Sequence, residues 1–546
     1  MFEDQKSTPD SSKSATRTLI IFSPVLFAAF LAIGVYFGSR MSAIPQGSEK
    51  ETVSKLNRLI NTIEERYVDK VDRKDLTEQS IRSILEGLDP HSAYMTPDDA
   101  KKAHEELSGN FGGVGIQFLV VNDTLVVTHV VPDGPSQREG IRPFDRIVDV
   151  NGTSMAGRKI TTEDVFKSLR GDIGTEAKIK IKRKGEKKLL SFNVTRDAIP
   201  VSTVEASIMV NGETGYIKLT QFGENTHKDF LTAVNKLQNR GMKNLILDLR
   251  DNGGGYLHAA EKIADEFLTS GKMIVYTEGE HSEKQTYVST KKGRLHDTPV
   301  AVLINHNSAS ASEIVAGAIQ DNDRGIILGR RSFGKGLVQQ ELTPFDDGSS
   351  IRLTIARYYT PSGRCIQKPY GHGIDYEMEQ YDRYERNEFF VPDSSVFVDS
   401  LKFKTSNGRI VYGGGGIMPD VFVPLDTTGR SAFYTDLIYD RVFSQFAFNY
   451  VEKHLAEILK FSNENIFARN FNVPSETFSQ LISFASRNGV KGREDEIRHS
   501  EYLIKLQLKA EIARLIWNSD GYYAVISTRD QDITKAVSEV TKRNPA

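Results

Sequence analysis

Residues 300–320 read VAVLINHNSASASEIVAGAIQ. An unbroken apolar run, Val300 to Ile304, gives way to a polar turn and then to an apolar run of helical character from Ala311. A strand with no polar alternation is one buried on both faces, and a strand leading straight into a helix is the repeating unit of an α/β sheet. The turn sets Ser310 at the helix start, where unpaired N–H groups and the helix dipole favour negative charge. That position suits an attacking alkoxide and also an oxyanion. A serine-rich turn is equally an ordinary helix cap, so both readings remain open on this stretch alone.

The alternation continues on both sides. Strands are expected at Gly215–Leu219, Asn244–Leu249, Gly325–Leu328 and Ile351–Tyr359, and helices at His227–Asn239 and Leu257–Leu268. This predicts an α/β core over 200–430, interrupted by a polar and aromatic insertion at about 368–412. Upstream, residues 104–195 change to period-2 alternation, with strands such as Thr124–Val130 and Ala177–Lys182 and one helix, Thr162–Leu169. Residues 50–103 have helical spacing, with Thr96-Pro97 as a helix start. Residues 431–546 return to long amphipathic stretches such as Tyr434–Phe461. The whole predicts a multidomain α/β protein with helical flanks.

Near the N-terminus, Leu19 to Phe37 carries no charge. As a helix it would span about 29 Å, one hydrocarbon core. Lys6, Lys13 and Arg17 precede it, a slight positive bias that favours the N-terminus inside. The run is longer than a signal-peptide core. We therefore expect a cytoplasmic tail at 1–17 and an uncleaved transmembrane anchor at 18–38. The 70 basic and 72 acidic residues nearly cancel, which gives no electrostatic footprint for nucleic acid. One cysteine, Cys365, excludes an intramolecular disulfide and a thiolate metal cluster.

Three further stretches could carry chemistry. In Arg331-Ser332-Phe333-Gly334-Lys335-Gly336-Leu337-Val338-Gln339, a lysine between glycines can come close to a neighbouring turn. A general base needs that amine neutral, so burial must lower its pKa by about 3 units. If the stretch is a strand, the even offset puts Lys335 and Gln339 on one face. A surface lysine in a glycine turn remains the other reading. Gly329 to Lys335 also matches most of a phosphate-binding loop, but Gly336 stands where that loop needs Ser or Thr. Asp248-Leu249-Arg250-Asp251-Asn252-Gly253-Gly254-Gly255 ends an apolar strand in glycines whose N–H groups could, with that of Ala311, hold an oxyanion. Phe111-Gly112-Gly113-Val114-Gly115-Ile116 could form a backbone nest for a peptide carboxylate, with the peptide extending the sheet edge. His306 invites a Ser–His pairing, but no matching catalytic context accompanies it. Glu313 and Asp321 read as serving structure or charge balance around the helix.

Together LDPHSAYMTP (88–97), FGGVGIQF (111–118), GIRPFDRIVDVNG (140–152), LDLRDNGGG (247–255), SASASEI (308–314), FGKGLVQ (333–339), YTPSGR (359–364) and GGIMPDV (415–421) resemble the C-terminal processing, or tail-specific, peptidases. The resemblance implies a PDZ domain at 104–195, a crotonase-like peptidase core, and a bacterial envelope setting. Carried onto these positions, it implies Ser310 as nucleophile, Lys335 as base, and Gln339 as the partner orienting the base. It puts the oxyanion hole at Gly253, Gly254 and Ala311, and the carboxylate loop at Gly113, Val114, Gly115 and Ile116. The implied function is a serine endopeptidase that recognises protein C-termini and needs no metal or cofactor. The implied location is the inner membrane, with the catalytic body in the periplasm; homo-oligomers are a further expectation. The competing class is a non-catalytic PDZ-bearing scaffold. The chain departs from the family pattern at 365–414, where about fifty residues separate YTPSGR from the next motif.

Overall fold

The computed structural model describes residues 47–342, 345–371, 373–392 and 398–542, with side chains from residue 55 onward. The expected tail and anchor, 1–38, lie outside the described residues. Among the described residues no helix is long and apolar enough to cross a membrane. The described residues form two compact units, which divide between Ile84 and Leu85. The first carries the helix Gly47–Arg66 and the start of the helix Arg73–Glu86.

In the second unit the period-2 segment folds as an antiparallel sheet. Its strand order is 116–121, 124–130, 146–150, 176–182, 190–195. Glu176–Lys182 shows why: Ala177, Ile179 and Ile181 are buried, and the glutamate and lysines between them are exposed. The helix Thr162–Leu169 begins with a Thr161–Asp164 capping box and turns Val165 and Leu169 into the core beside Leu125, Val127 and Ile147. The strand Ile116–Val121 is an edge, paired only with Thr124–Val130.

The α/β segment builds a six-stranded sheet in the order 204–209, 214–219, 244–248, 300–304, 326–329, 421–422. Every pair is parallel except the first. All five residues of Asn244–Asp248 and of Val300–Ile304 are buried, as uninterrupted apolar runs require. Alternate residues go to opposite layers. Leu245, Leu247, Val302 and Ile304 pack with helices Thr226–Asn239, Leu257–Asp265 and Ala311–Asp321. Ile246, Ala301 and Leu303 instead share a core with Phe433, Ile504, Leu508 and Ile533 of the C-terminal helices.

That C-terminal region comprises Ala432–Tyr439, Val442–Ile458, Glu464–Asn470, Ser475–Arg487, Glu494–Ile526 and Gln531–Lys542. It also grips the period-2 domain. Arg146 meets Glu452 in a bidentate pair at 2.8 and 3.0 Å, and Phe144 packs on Phe448 with ring centroids 5.5 Å apart. A second sheet, not foreseen from sequence, joins Ala93–Met95, Ser350–Tyr359, Met273–Gly279 and Ser282–Val288, with Leu337–Leu342 also on Ser350–Tyr359. The insertion contributes the helix Glu379–Glu385 and a small ribbon, Lys402–Lys404 with Ile410–Tyr412.

Candidate active site

The strand Val300–Ile304 and the helix Ala311–Asp321 form as the sequence reads, and Ser310 occupies the elbow between them. Its backbone lies at φ 55°, ψ −112°, a region that costs a non-glycine residue about 1–3 kcal/mol. Neighbours hold it there. The Ala309 N–H donates to Asn252 O at 3.0 Å, and Ser312 Oγ donates to the same carbonyl at 2.9 Å. Gly254 crosses so close that a Cβ there would lie 2.8 Å from Ser310 Cβ and 3.0 Å from Ala311 N.

Lys335 precedes the strand Leu337–Leu342. The expectation that Lys335 and Gln339 share a strand face is corrected: the lysine lies in the loop, and a bulge between Val338 and Gln339 resets the register further on. The Ser310 and Lys335 loops meet at Glu313, which is 0 % exposed. Oε2 accepts the N–H of Ser310 at 2.7 Å and that of Lys335 at 2.9 Å. Oε1 accepts Ser332 Oγ at 2.5 Å and the Gly334 N–H at 2.7 Å. Tyr358 adds a second tie, its hydroxyl reaching Ser310 O at 3.1 Å and also Lys335 O. Of the two readings expected for Glu313, structure or charge balance, the first holds: it ties the two loops together. The pattern Ser310-Ala-Ser-Glu313 is a capping-box sequence, and that signal could have singled it out.

Burial pushes the Glu313 carboxyl up to about 7, against four donors that favour its ionised form. Burial, and then the Arg352 cation, bring the Lys335 amine down to about 8, while Glu313 and Asp89 oppose the shift. At pH 7 about a tenth of such an amine is neutral. No hydrogen bond joins the Ser310 hydroxyl to the Lys335 amine among the described residues. Gln339 Nε2 donates to Thr354 Oγ1 at 3.3 Å.

The expected oxyanion donors separate. The Gly254 N–H donates to Asn252 Oδ1 at 2.9 Å. The N–H groups of Gly253 and Ala311 donate to no protein acceptor among the described residues. At the start of the edge strand the same holds for the N–H groups of Val114 and Gly115. Gly115 has φ 76°, and a Cβ there would come within 3.2 Å of both Ile199 and Pro135. Ile116 opens that strand and lines a cleft of about 650 Å³ with Gln117, Glu205, Lys236 and Asp520; neither Ser310 nor Lys335 lines it.

His306 is a packing residue, stacked on Phe389 with centroids 4.3 Å apart, and burial pulls its imidazole down to about 4. The insertion reaches both loops. Gln380 Nε2 donates to His306 O at 3.1 Å, and Arg383 donates to the carbonyls of Arg331 and Ser332 at 2.8 and 3.1 Å. His91 Nε2 lies 2.9 Å from the hydroxyl of Tyr376, another insertion residue.

Comparison with known proteins gives this geometry a family. Residues 213–379 match Peptidase family S41, residues 112–194 the PDZ domain, and residues 39–99 the N-terminal domain of the activating protease CtpB. The carboxy-terminal processing protease CtpB of Bacillus subtilis is 35% identical over 355 residues, 62% of this chain and 73% of the relative. The chain belongs to the C-terminal processing peptidases. A carboxy-terminal-processing protease of Bartonella bacilliformis is 37% identical over 365 residues, 64% of this chain and 82% of that one. The photosystem II D1 C-terminal processing protease covers 68% of this chain at 25% identity with a TM-score of 0.34, and 92% of that chain is matched. Residues 433–518 match a family of unknown function. The peptidase is thus a serine-type enzyme with a PDZ domain, an S41 core and a helical C-terminal region.

Proposed function

We propose that this peptidase cleaves protein substrates with Ser310 as nucleophile and Lys335 as general base. The carrying observation is the shared carboxylate: one oxygen of Glu313 accepts the backbone N–H of both residues, which binds their two loops together. The half-buried amine near pKa 8 supplies the neutral form a base requires. Lys335 takes the hydroxyl proton of Ser310 as oxygen attacks the scissile carbonyl. The N–H groups of Ala311 and Gly253 receive the developing oxyanion. The lysine then returns its proton to the leaving amine, and water resolves the acyl-enzyme. Gln339 is the partner that orients the amine.

The substrate enters by its C-terminus. The unpaired N–H groups of Val114 and Gly115 suit a terminal carboxylate, with Gly113 and Ile116 completing the loop, and the edge of Ile116–Val121 suits an added strand. The charge-free run within 18–38 supports an inner-membrane anchor with the catalytic body in the periplasm, where envelope proteins would be its substrates. Purified enzyme should degrade an unstructured protein with a free apolar C-terminus. Ser310→Ala and Lys335→Ala should each lower turnover by about 10³-fold or more. Turnover by Ser310→Ala equal to that of the parent enzyme would remove the assignment.

A further inference from the structure

The stretch LDPHSAYMTP at 88–97 contributes to the family resemblance but has so far received no role. It runs beside the strand Ser350–Tyr359, pairing Ala93 with Arg352 and Met95 with Ser350. Asp89 is buried just before that pairing begins. Its Oδ1 accepts the N–H groups of His91 and Ser92 at 2.8 and 2.9 Å, and its Oδ2 accepts the Ser92 hydroxyl at 2.6 Å. Ser92 Oγ in turn accepts the Thr354 N–H at 3.1 Å. Thr354 Oγ1 lies 3.1 Å from Asp89 Oδ1 and 3.3 Å from Gln339 Nε2. Gln339 and Thr354 face each other across the pair of strands, at the bulge.

Counting donors orders this chain. Burial raises the Asp89 carboxyl, but hydrogen bonds from Ser92, His91 and Thr354 outweigh it and hold the group below its ordinary value. An ionised carboxylate only accepts, so Thr354 gives its single hydroxyl proton to Asp89. The threonine oxygen then has only lone pairs for Gln339, and the glutamine must present its NH₂ group there. Its carbonyl Oε1 is consequently turned away from Thr354. With the amide reversed, two acceptors would meet at Thr354 and an N–H would be offered to an ammonium.

We propose that Asp89 and Thr354 are positioning residues for the base: they fix the Gln339 amide so that its carbonyl oxygen, and not its nitrogen, is available to the Lys335 ammonium. This deepens the Ser310–Lys335 reading and rests on it. An acceptor beside the amine favours its charged form, so freeing the amide lowers the pKa of the lysine and loosens its aim.

The test is steady-state kinetics on a peptide substrate with Thr354→Val, Thr354→Ser, Gln339→Ala and the double variant Gln339→Ala/Thr354→Val. Thr354→Val should lower kcat about tenfold or more with KM little changed, and move the acid limb of kcat/KM to lower pH. Thr354→Ser, which keeps the hydroxyl, should recover most of the rate and the parent pH profile. The double variant should be no slower than Gln339→Ala, because Thr354 acts only through that amide. Losses that multiply in the double variant, or an unaltered pH profile in Thr354→Val, would overturn the proposal. Ser310→Ala and Lys335→Ala are measured alongside; activity in either would defeat the underlying Ser–Lys reading, whatever Thr354 does.

Discussion

Lys335 shows what a buried amine costs a fold. Its folded pKa is about 8 against an ordinary value of 10.5, chiefly through burial. Below pH 8 the folded protein holds an ammonium in a site that disfavours it. Between pH 8 and 10.5 the folded state has released that proton while the unfolded state keeps it, so stability gains with rising pH. Lys335→Met should therefore be more stable than the parent at pH 7, by on the order of 1–3 kcal/mol, with the difference shrinking towards pH 10. Urea unfolding at the two pH values checks this; an identical pH slope in both proteins would contradict it. The strand-to-helix turn that carries Ser310 and Ala311 was legible because an unbroken apolar run leads into a serine-rich turn and a helical run. The hydrogen bond from the Gly254 N–H to the side chain of Asn252 two residues back was not legible, because no spacing rule announces it. Asp89 was not legible as part of this group, since its contact with Thr354 depends on pairing between segments more than 250 residues apart, whereas Thr354 lies only 15 residues from Gln339.

Among the elements, the helix Glu379–Glu385 clips the catalytic loops together. Gln380 holds the carbonyl of His306 before Ser310, and Arg383 holds those of Arg331 and Ser332 before Lys335. Arg383 is 0 % exposed and pairs with Glu388 at 2.9 Å, and Glu388 also binds Arg331 at 2.6 Å. Replacing Arg383 by Leu strips Glu388 of one partner and leaves two buried carbonyls without a donor. Arg383→Leu should lower the unfolding free energy by about 3–5 kcal/mol. Denaturant titration measures it, and a loss below about 1 kcal/mol would contradict the clip. The insertion could be recognised as a departure from the family pattern, but its docking could not: its polar and aromatic composition gives no periodicity, and its anchoring arginine looks like any surface charge. The buried parallel strands were the easiest to read, because runs such as VAVLI and NLILD allow no exposed face.

At the scale of the second unit, one sheet carries the peptidase chemistry on its helix-capped face and rests its other face on the C-terminal helices. Those helices reach the PDZ domain through Arg146–Glu452 and Phe144–Phe448, so the PDZ domain and the peptidase core share one brace. The same brace touches the catalytic turns. Asp532 binds Arg250 at 2.8 Å, beside the Gly253–Gly255 turn, and Arg330 at 3.1 Å, at the start of the Lys335 loop. Helical periodicity announced this region, but its sites of contact lie in tertiary pairings with no sequence signature. The claim on which everything depends is that the Lys335 amine activates the Ser310 hydroxyl. Its most direct measurement is peptide mapping by mass spectrometry after reaction with a serine-directed acylating probe, followed across pH. Modification should fall on Ser310, rise with an apparent pKa near 8, and vanish in Lys335→Ala. Modification of another residue, or equal labelling of Ser310 when the lysine is gone, would contradict it.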